Sequence, residues 1–528
     1  MKKQLFYLTA LVAVLAFASC SKDATMGDEA VVTPDDEIVD TGSNLTTVTL
    51  ANFSGNSDRV SYPAATRAEE EAKPAALKLV AEIANPSKAE GFNLVEFEGR
   101  YLSATSVYYN EATKTYYTSY HMQGNNYNTE LGNEIGGAIQ AFKVENDEVE
   151  LLDGFRAANP NQEDYDFNHI YFDQTAKRII VVGHNWKVPS SWTSSDPYTG
   201  KRDNTQAIIG VFHEDTGELT YSTIQTDKKA YDEAGHSLGY TDAGDANCVV
   251  RPNDAMSNGA YGWNFYFVAT RKGFAVLDAT EENLFKPALN ADGSNYFIAT
   301  PGSAKYIAAT GTSSWYGALY LSENYTPEEG DITAATKSEA RIAHFSVNTN
   351  ASNGFGSIQT WKSPFTQFNP QTTSILEFGE QDILPEVITP VDGKNTLCIL
   401  GDSEFYAALG TSGLYCNNGV DGFNGVKKFG NRPVNCVAVD NEITESGYSN
   451  KGYLYVANGA KLTILDRKTM EEVASWNVPT KDGNGNDLDV AASANYVLVN
   501  KADNGERTIT VAFGQEGVKI FKFDPANL

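Results

Sequence analysis

The chain of 528 residues carries 68 acidic against 40 basic side chains, a net charge of −28, which repels a phosphate backbone and excludes nucleic acid as a partner. With 41% hydrophobic and 11% aromatic residues it is not disordered by composition. Its length exceeds the ~250 to 300 residues at which a single core stops growing, a limit that repeat architectures escape.

In chain order, Met1 to Cys20 opens with Lys2 and Lys3 and continues as the apolar run LFYLTALVAVLAFAS. That run is short of the ~20 residues of a spanning helix and fits the core of a signal peptide over 1–19. Its ending, Phe17-Ala18-Ser19-Cys20, resembles a bacterial lipobox, which implies diacylation of Cys20 as the mature N-terminus. Each buried CH₂ of an acyl chain contributes ~0.8 kcal/mol, so two or three chains hold a protein on a bilayer without a spanning segment. Ser21-Lys22-Asp23, with Asp28 and Glu29 beyond, resembles the acidic flag of surface-exported lipoproteins in Bacteroidetes-type bacteria. The resemblance implies an outer-membrane address at the cell surface, with the periplasmic face as the alternative. Residues 20–73, rich in Asp, Glu, Thr and Ser and containing Glu69-Glu70-Glu71, read as an acidic flexible tether. Within it LTTVTLANF (45–53) reads as at most a local strand.

From 74 to 528 the chain reads as one repeat domain. ALKLVAEI (76–83) is a strand without partners of its own. Unit one, 101–156, offers SVYYN, TYYTSYH, AIQAFKV and VELLDGF, and unit two, 166–225, offers HIYFD, RIIVVGHNW, AIIGVFHEDTG and ELTYSTI. Unit three, 245–290, has NCVVRP, NFYFVATR and GFAVLDA, with its outer strand unplaced, and unit four, 303–364, has KYIAAT, GALYLSEN, RIAHFSV and GSIQTWKSP. Unit five, 384–430, is read as PEVITPV, TLCILG, SGLYCNN and VKKFG. Unit six is the clearest copy: VNCVAVDN followed by GYLYVANG, KLTILD and EEVASWNVP, separated by tight turns. Unit seven, 487–523, offers LDVAAS, TITVAF and VKIFKF. No segment of ten or more residues carries the 3.6-residue period of a helix.

Runs such as Leu454-Tyr455-Val456-Ala457 do not alternate apolar with polar, so both faces of each sheet expect cover, which stacked neighbouring sheets supply. The predicted fold is therefore all-β, a single β-propeller of about seven four-stranded blades. GYLYVANGAKLTILD, with KGFAVLDATEEN and QEGVKIFKFD as weaker copies, resembles the LVIVD-type repeat of bacterial surface propellers, a relative of the YVTN type. This resemblance implies a β-propeller surface lipoprotein whose ligand the repeats do not specify. The last unit stops after three strands, and an open edge invites aggregation. ALKLVAEI is thus expected to add outside VKIFKF and close the ring.

Signs of chemistry are sparse. Asp466-x-x-Thr469 with Trp476 resembles one copy of the blade-locking motif of quinone-dependent dehydrogenases, but Met470 replaces the Gly, and an Asp turn beside a packed Trp is the expectation. The run 482–489, DGNGNDLD, alternates oxygen ligands as calcium loops do but lacks the sixth-place Gly and the bidentate Glu, so a turn is expected. No cofactor and no metal site are assigned. Cys248 and Cys436 sit at equivalent places in first strands and read as core packing, while Cys398 and Cys416 are expected as buried thiols, with a disulfide between them as the alternative.

His121, His184 and His236 fall in long connections, and His169 begins a first strand, so all four are expected toward the loop-bearing end of the ring. The insertions at 122–136, 185–205 and 323–338 follow second strands and would share that end. Trp186, Trp192 and Tyr198, joined less securely by Trp315, bring aromatic rings into polar loops, where they suit stacking on sugars or gripping a protein. The candidate ligand-binding residues are therefore His121, His184, Trp186, Trp192, Tyr198 and Trp315, with Cys20 for lipidation and no catalytic residue assigned. The expected function is a lipid-anchored surface module binding a glycan or protein, and the alternative is a glycan lyase or hydrolase on the same scaffold. Two or three carboxylates, or a His with Asn or Gln, converging at the channel would favour the enzyme.

Overall fold

Strands without alternation are buried on both sides because successive side chains point to opposite faces. In the strand Arg178–Lys187, Ile179 and Val181 enter one apolar core while Ile180 and Val182 enter another. Phe265–Thr270 divides likewise, Tyr266 and Val268 against Phe267 and Ala269. In Gly447–Asn458, Leu454 and Val456 face away from Tyr455 and Ala457.

The computed structural model describes residues 45–63, 75–86, 101–123, 137–157, 163–187, 205–232, 234–251, 264–289, 293–299, 303–310, 318–325, 337–348, 357–360, 376–382, 397–400, 404–410, 413–418, 424–444, 447–480 and 493–528. Among them helix is confined to two short 3-10 turns, Ser57–Arg59 and Pro525–Asn527. The rest is a propeller arrangement of small antiparallel sheets. From the inner strand outward, sheet I contains Tyr101–Asn110, Thr115–Gln123, Ala138–Glu145 and Glu148–Arg156; sheet II contains Glu163–Asp173, Arg178–Lys187, Thr205–His213 and Glu218–Thr223. Sheet III runs Ala246–Val250, Phe265–Thr270, Gly273–Asp278 and Phe297–Ala299, and sheet IV runs Ser303–Thr310, Ala318–Tyr325, Lys337–Asn348 and Ser357–Thr360, with Leu376–Asp382 also on its third strand. Sheet V has Leu397–Leu400, Glu404–Ala408, Leu414–Asn418 and Asn424–Lys427; sheet VI has Val434–Thr444, Gly447–Asn458, Lys461–Asp466 and Glu472–Asn477. Sheet VII begins with Tyr496–Lys501, Arg507–Ala512 and Val518–Phe523. Six seams between neighbouring sheets share a described apolar core, and the inner strands of sheets IV and V also lie against each other.

Several expectations change in detail. Sheets I, II, IV and VII have five strands instead of four. In sheet V the strand Leu397–Leu400 is the first, not the second, and Glu404–Ala408 supplies the second; its short EFYAA run gives too weak a pattern to be found alone. Sheet VII begins at Tyr496, after the LDVAAS run, most of which lies outside the described residues. The outer strand of sheet III is Phe297–Ala299. A two-stranded ribbon, Gln225–Tyr231 with Ser237–Asp242, lies between sheets II and III in the chain.

The closing strand behaves as expected. Leu77–Ile83 pairs antiparallel with Val518–Phe523, with Phe523 opposite Leu77 and Val518 opposite Ile83. Part of the stretch read as a tether is also paired. Thr46–Thr49 adds outside sheet II, Ala51–Phe53 outside sheet I and Val60–Ser61 outside Leu77–Ile83 of sheet VII. This N-terminal strap therefore runs along the outer edges of three sheets, which removes edge strands that would template association.

Among the described residues backbone pairing between neighbouring sheets is limited to isolated contacts such as Ala104 with Gly514 and Gly410 with Val434, so other buried groups at the seams need side-chain partners. A repeated Asn provides them. The amide Nδ2 of Asn168 donates to the carbonyl of Ala246 at 3.0 Å, Asn247 to Ala304 at 2.7 Å, Asn435 to Ala494 at 2.9 Å and Asn495 to Ala104 at 2.8 Å. In each case the same nitrogen also reaches the side-chain oxygen of the preceding residue, namely Asp245, Ser303, Ser493 and Ser103. Asn495 to Ala104 links the last sheet to the first. The residue after the Asn often crosses as well: the backbone N–H of Val497 donates to Cys436 Sγ at 3.3 Å. Cys248, Cys416 and Cys436 are buried and not joined in a disulfide. In the backbone register Cys398 and Cys416 are both paired with Tyr406, one on each side of its strand. They lie two strand spacings apart, roughly 10 Å, beyond the ~7 Å a disulfide spans, so that alternative is ruled out.

Candidate functional site

In each sheet the first strand starts, and the second strand ends, at the same end of the ring. Sheet II brings its ionisable residues together there through a bulge. The register shifts between Val182 and Gly183. A Cβ at Gly183 would lie 1.8 Å from the carbonyl oxygen of Asp166, so only glycine permits this approach. Beyond the bulge His184 stands opposite Asp166. The imidazole Nε2 lies 3.2 Å from Asp166 Oδ2 and Nδ1 lies 3.2 Å from Asp245 Oδ1. Asp245 directly precedes the inner strand of sheet III and also accepts from Asn168 Nδ2 at 2.7 Å. Nearby, Asp242 Oδ1 accepts from the backbone N–H groups of Ala207 at 2.8 Å and Gly244 at 2.7 Å.

Electrostatics follow from this geometry. Burial alone would lower the His184 pKa, but the Asp245 and Asp166 carboxylates on its two sides outweigh it and hold the imidazole well above its ordinary value. The ring, with a carboxylate oxygen 3.2 Å from each nitrogen, is engaged on both sides. It therefore has no nitrogen left for base or nucleophile work. Asp242 is the opposite case: burial raises its carboxyl to about 6, against the lowering effect of its two backbone donors. The far end of the same seam is pinned in a similar way. Asp173, fully buried, accepts from Arg251 Nη1 at 2.7 Å and from the Tyr266 hydroxyl at 2.5 Å.

Aromatic contacts join inner strands of separate sheets. The His169 ring of sheet II lies 6.1 Å from Tyr306 of sheet IV and 6.2 Å from Tyr496 of sheet VII, edge-on to both. Side chains from three non-neighbouring sheets thus meet on the axis, and a ligand at this level would approach from an end of the ring.

The structure separates the other expected residues. His121 is 4% exposed and lies within the second strand of sheet I, opposite Ser103, so it is a wall residue and not a loop residue. His236 sits at the turn of the ribbon, exposed, with Nδ1 2.9 Å from Asp232 Oδ2. The backbone of Trp186 continues the second strand of sheet II opposite Thr205. Trp192, Tyr198, Trp315 and Cys20 lie outside the described residues, as does the 482–489 run apart from its surroundings. Trp476 packs edge-on against Phe513 and Phe521, and Asp466 Oδ1 accepts from the backbone of Lys468 and Thr469, the turn and packed Trp anticipated for that motif. Asp166, Asp242 and Asp245 had no local signal, since their meeting depends on two sheets and the ribbon. Among the described residues no group of three or more His, Cys, Asp or Glu has the arrangement to hold a metal ion, and no helix is long and apolar enough to cross a membrane.

No family model matches the chain, and no curated protein matches it. Among solved structures it is similar to the extracellular domain of a one-component system protein of B. thetaiotaomicron, with 10% identity over 85% of this chain and 42% of that one and a TM-score of 0.38. The chain thus spans less than half of that structure's length. It is also similar to BBS1N in its complex with ARL6DN, with 9% identity, 73% and 89% coverage and a TM-score of 0.36, and to a glucose dehydrogenase, with 9% identity, 85% and 99% coverage and a TM-score of 0.33. The β-propeller fold is established by the order and pairing of the chain's own sheets.

Proposed function

We propose that the chain is a lipid-anchored outer-membrane surface module of the LVIVD-like type, in which the seven sheets are the blades of one ring that binds a glycan or protein ligand at its loop-bearing end. One observation carries the reading. The second strands of sheets I, II and IV end at Gln123, Lys187 and Tyr325, equivalent places from which three long connections leave toward one end of the ring. At that end His184 lies between two carboxylates and serves as a crosslink, which favours holding a ligand over reacting with it. Trp192 and Tyr198 belong to the longest of these connections, and Trp186 stands next to the end of the strand that leads into it.

A second reading rests on Asp242. A half-buried carboxyl raised to about 6 by its surroundings beside Asp245 is suited to general acid or base work, as a glycan lyase or hydrolase would require. The discriminating experiment presents residues 21–528 to a panel of bacterial-niche polysaccharides and follows binding and turnover together. Binding without turnover, lost in the Trp186→Ala, Trp192→Ala double variant, is expected. Turnover abolished by Asp242→Asn would establish the enzyme instead, and binding that survives the double Trp variant would move the site elsewhere.

A further inference from the structure

A cavity unrelated to the loop-bearing end lies at the outer rim, where the N-terminal strap crosses from sheet II to sheet I. The strap pairs Thr49 with Glu218, bonds Leu50 N to the Gly217 carbonyl at 2.9 Å, then pairs Ala51 with Arg156. Beneath this crossing the two sheets leave a space of ≈ 310 Å³. Its floor is aromatic and buried, with Tyr117 2% and Phe212 3% exposed and Phe155 edge-on to Phe212 at 5.1 Å. Its mouth is formed by the exposed carboxylates Asp153, Glu214 and Asp215, with Asn52 of the strap, and none of the ten lining residues is Lys, Arg or His. The Tyr117 hydroxyl donates to Glu214 Oε2 at 2.8 Å, and Gly55 N donates to Asp153 Oδ1 at 2.9 Å. Two of the three carboxylates are thereby held in place by the protein.

We infer that this rim cavity binds a small organic cation, an ammonium or guanidinium group on a short apolar stem. The aromatic faces attract a cation through their quadrupole and cover its stem, while the carboxylates at the mouth supply the countercharge. The volume lies at the lower limit of ligand sites, about 300 Å³, which suits a free small cation or one basic side chain of a peptide and not a larger molecule. Anions are repelled by the three carboxylates, and a neutral apolar guest leaves them uncompensated.

The test titrates the mature full chain with methylguanidinium and tetramethylammonium by calorimetry, against sodium chloride of equal ionic strength. A second arm uses an Arg-containing dipeptide capped at both ends. The Glu214→Gln, Asp215→Asn variant is expected to weaken binding about tenfold, and Phe212→Leu to weaken it less. Glu281→Gln with Glu282→Gln, which removes equal charge from exposed positions on sheet III, is expected to change it little. Thermal melting of each variant identifies any that fail to fold, and the amide substitutions, which keep size and hydrogen-bond acceptors, are chosen to fold normally. Tighter binding of the dipeptide assigns a peptide side chain as the source, and equal binding assigns a free cation. No binding of any probe, or equal losses in the pocket and control variants, overturns the inference, the latter because it reduces the effect to the general field of the net charge.

Discussion

The His184 crosslink shows how a residue typical of catalysis can be spent on structure. Its imidazolium pKa is raised on folding, so its stabilising contribution is complete below the unfolded value of ~6.5 and is lost as pH rises through the folded value. Asp242 acts in the same direction by a different route. Its carboxyl is raised from 3.8 to about 6, so the folded chain holds an extra proton between those values and loses stability as pH rises through that window. Removing the ionisation should remove that slope. The melting temperature of Asp242→Asn relative to the parent is expected to rise steadily between pH 4 and 7, and His184→Gln is expected to cost about 1.5 to 3 kcal/mol near neutrality and less at high pH. Calorimetric melts across pH check both, and parallel curves for parent and Asp242→Asn would remove the basis for the raised carboxyl.

At the scale of elements, inner strands are the organising unit and their Asn clamps do what a backbone ladder cannot. Three of the four clamp residues follow a small or acidic residue and then a small or apolar one, in Asp245-Ala246-Asn247, Ser493-Ala494-Asn495 and Asp166-Phe167-Asn168, while Asn435 follows Pro433-Val434. The recurrence is visible in the sequence once the contacts are known, and NCVV beside NCVAV is its clearest trace. The closing strand is the other decisive element. Leu77–Ile83 buries Val80, Ala81 and Ile83 in the core shared by sheets VII and I, and the larger two, Val80 and Ile83, contribute about 1.5 to 3 kcal/mol each against a total stability of about 5 to 15 kcal/mol. Deleting residues 77–83 is therefore expected to lower the melting temperature sharply and to produce oligomers through the bared Val518–Phe523 edge, as light scattering would record. An unchanged melting temperature would mean that the strand is not what closes the ring.

For the whole molecule, the anchor proposed at Cys20 would be joined to the architecture through the N-terminal strap. The strap begins at Thr46, 26 residues after Cys20, and passes directly into the outer edges of sheets II, I and VII. A membrane tether of that length would hold the propeller close to the bilayer, at most about 90 Å away when fully extended. Cys20→Ala is expected to move the protein from the membrane pellet to the soluble periplasmic fraction, since no other segment is proposed to hold it there. Sedimentation like the parent's would place the anchor elsewhere.

The architecture was legible because it follows from local pattern. Unbroken apolar runs such as RIIVVG and GYLYVA require cover on both faces, polar turns space them at regular intervals, and the unpaired ALKLVAEI beside a three-stranded last unit announces closure; all of these are properties of neighbouring residues. Weak or short elements were lost: EFYAA and the ribbon pair with neighbours in sequence but are too short to show a pattern, and the strap at 46–61 gains its stability from partners up to 175 positions away in the chain, as between Thr46 and Tyr221. The candidate sites depended still more on tertiary contacts. Nothing in the surroundings of Asp166, His184, Asp242 or Asp245 marks them among 68 acidic residues, and Tyr117, Phe212 and Glu214 meet only because two sheets are packed side by side. Charge and burial act through distance in space, so which carboxylates share a proton, a histidine or a cavity is decided by the assembled ring.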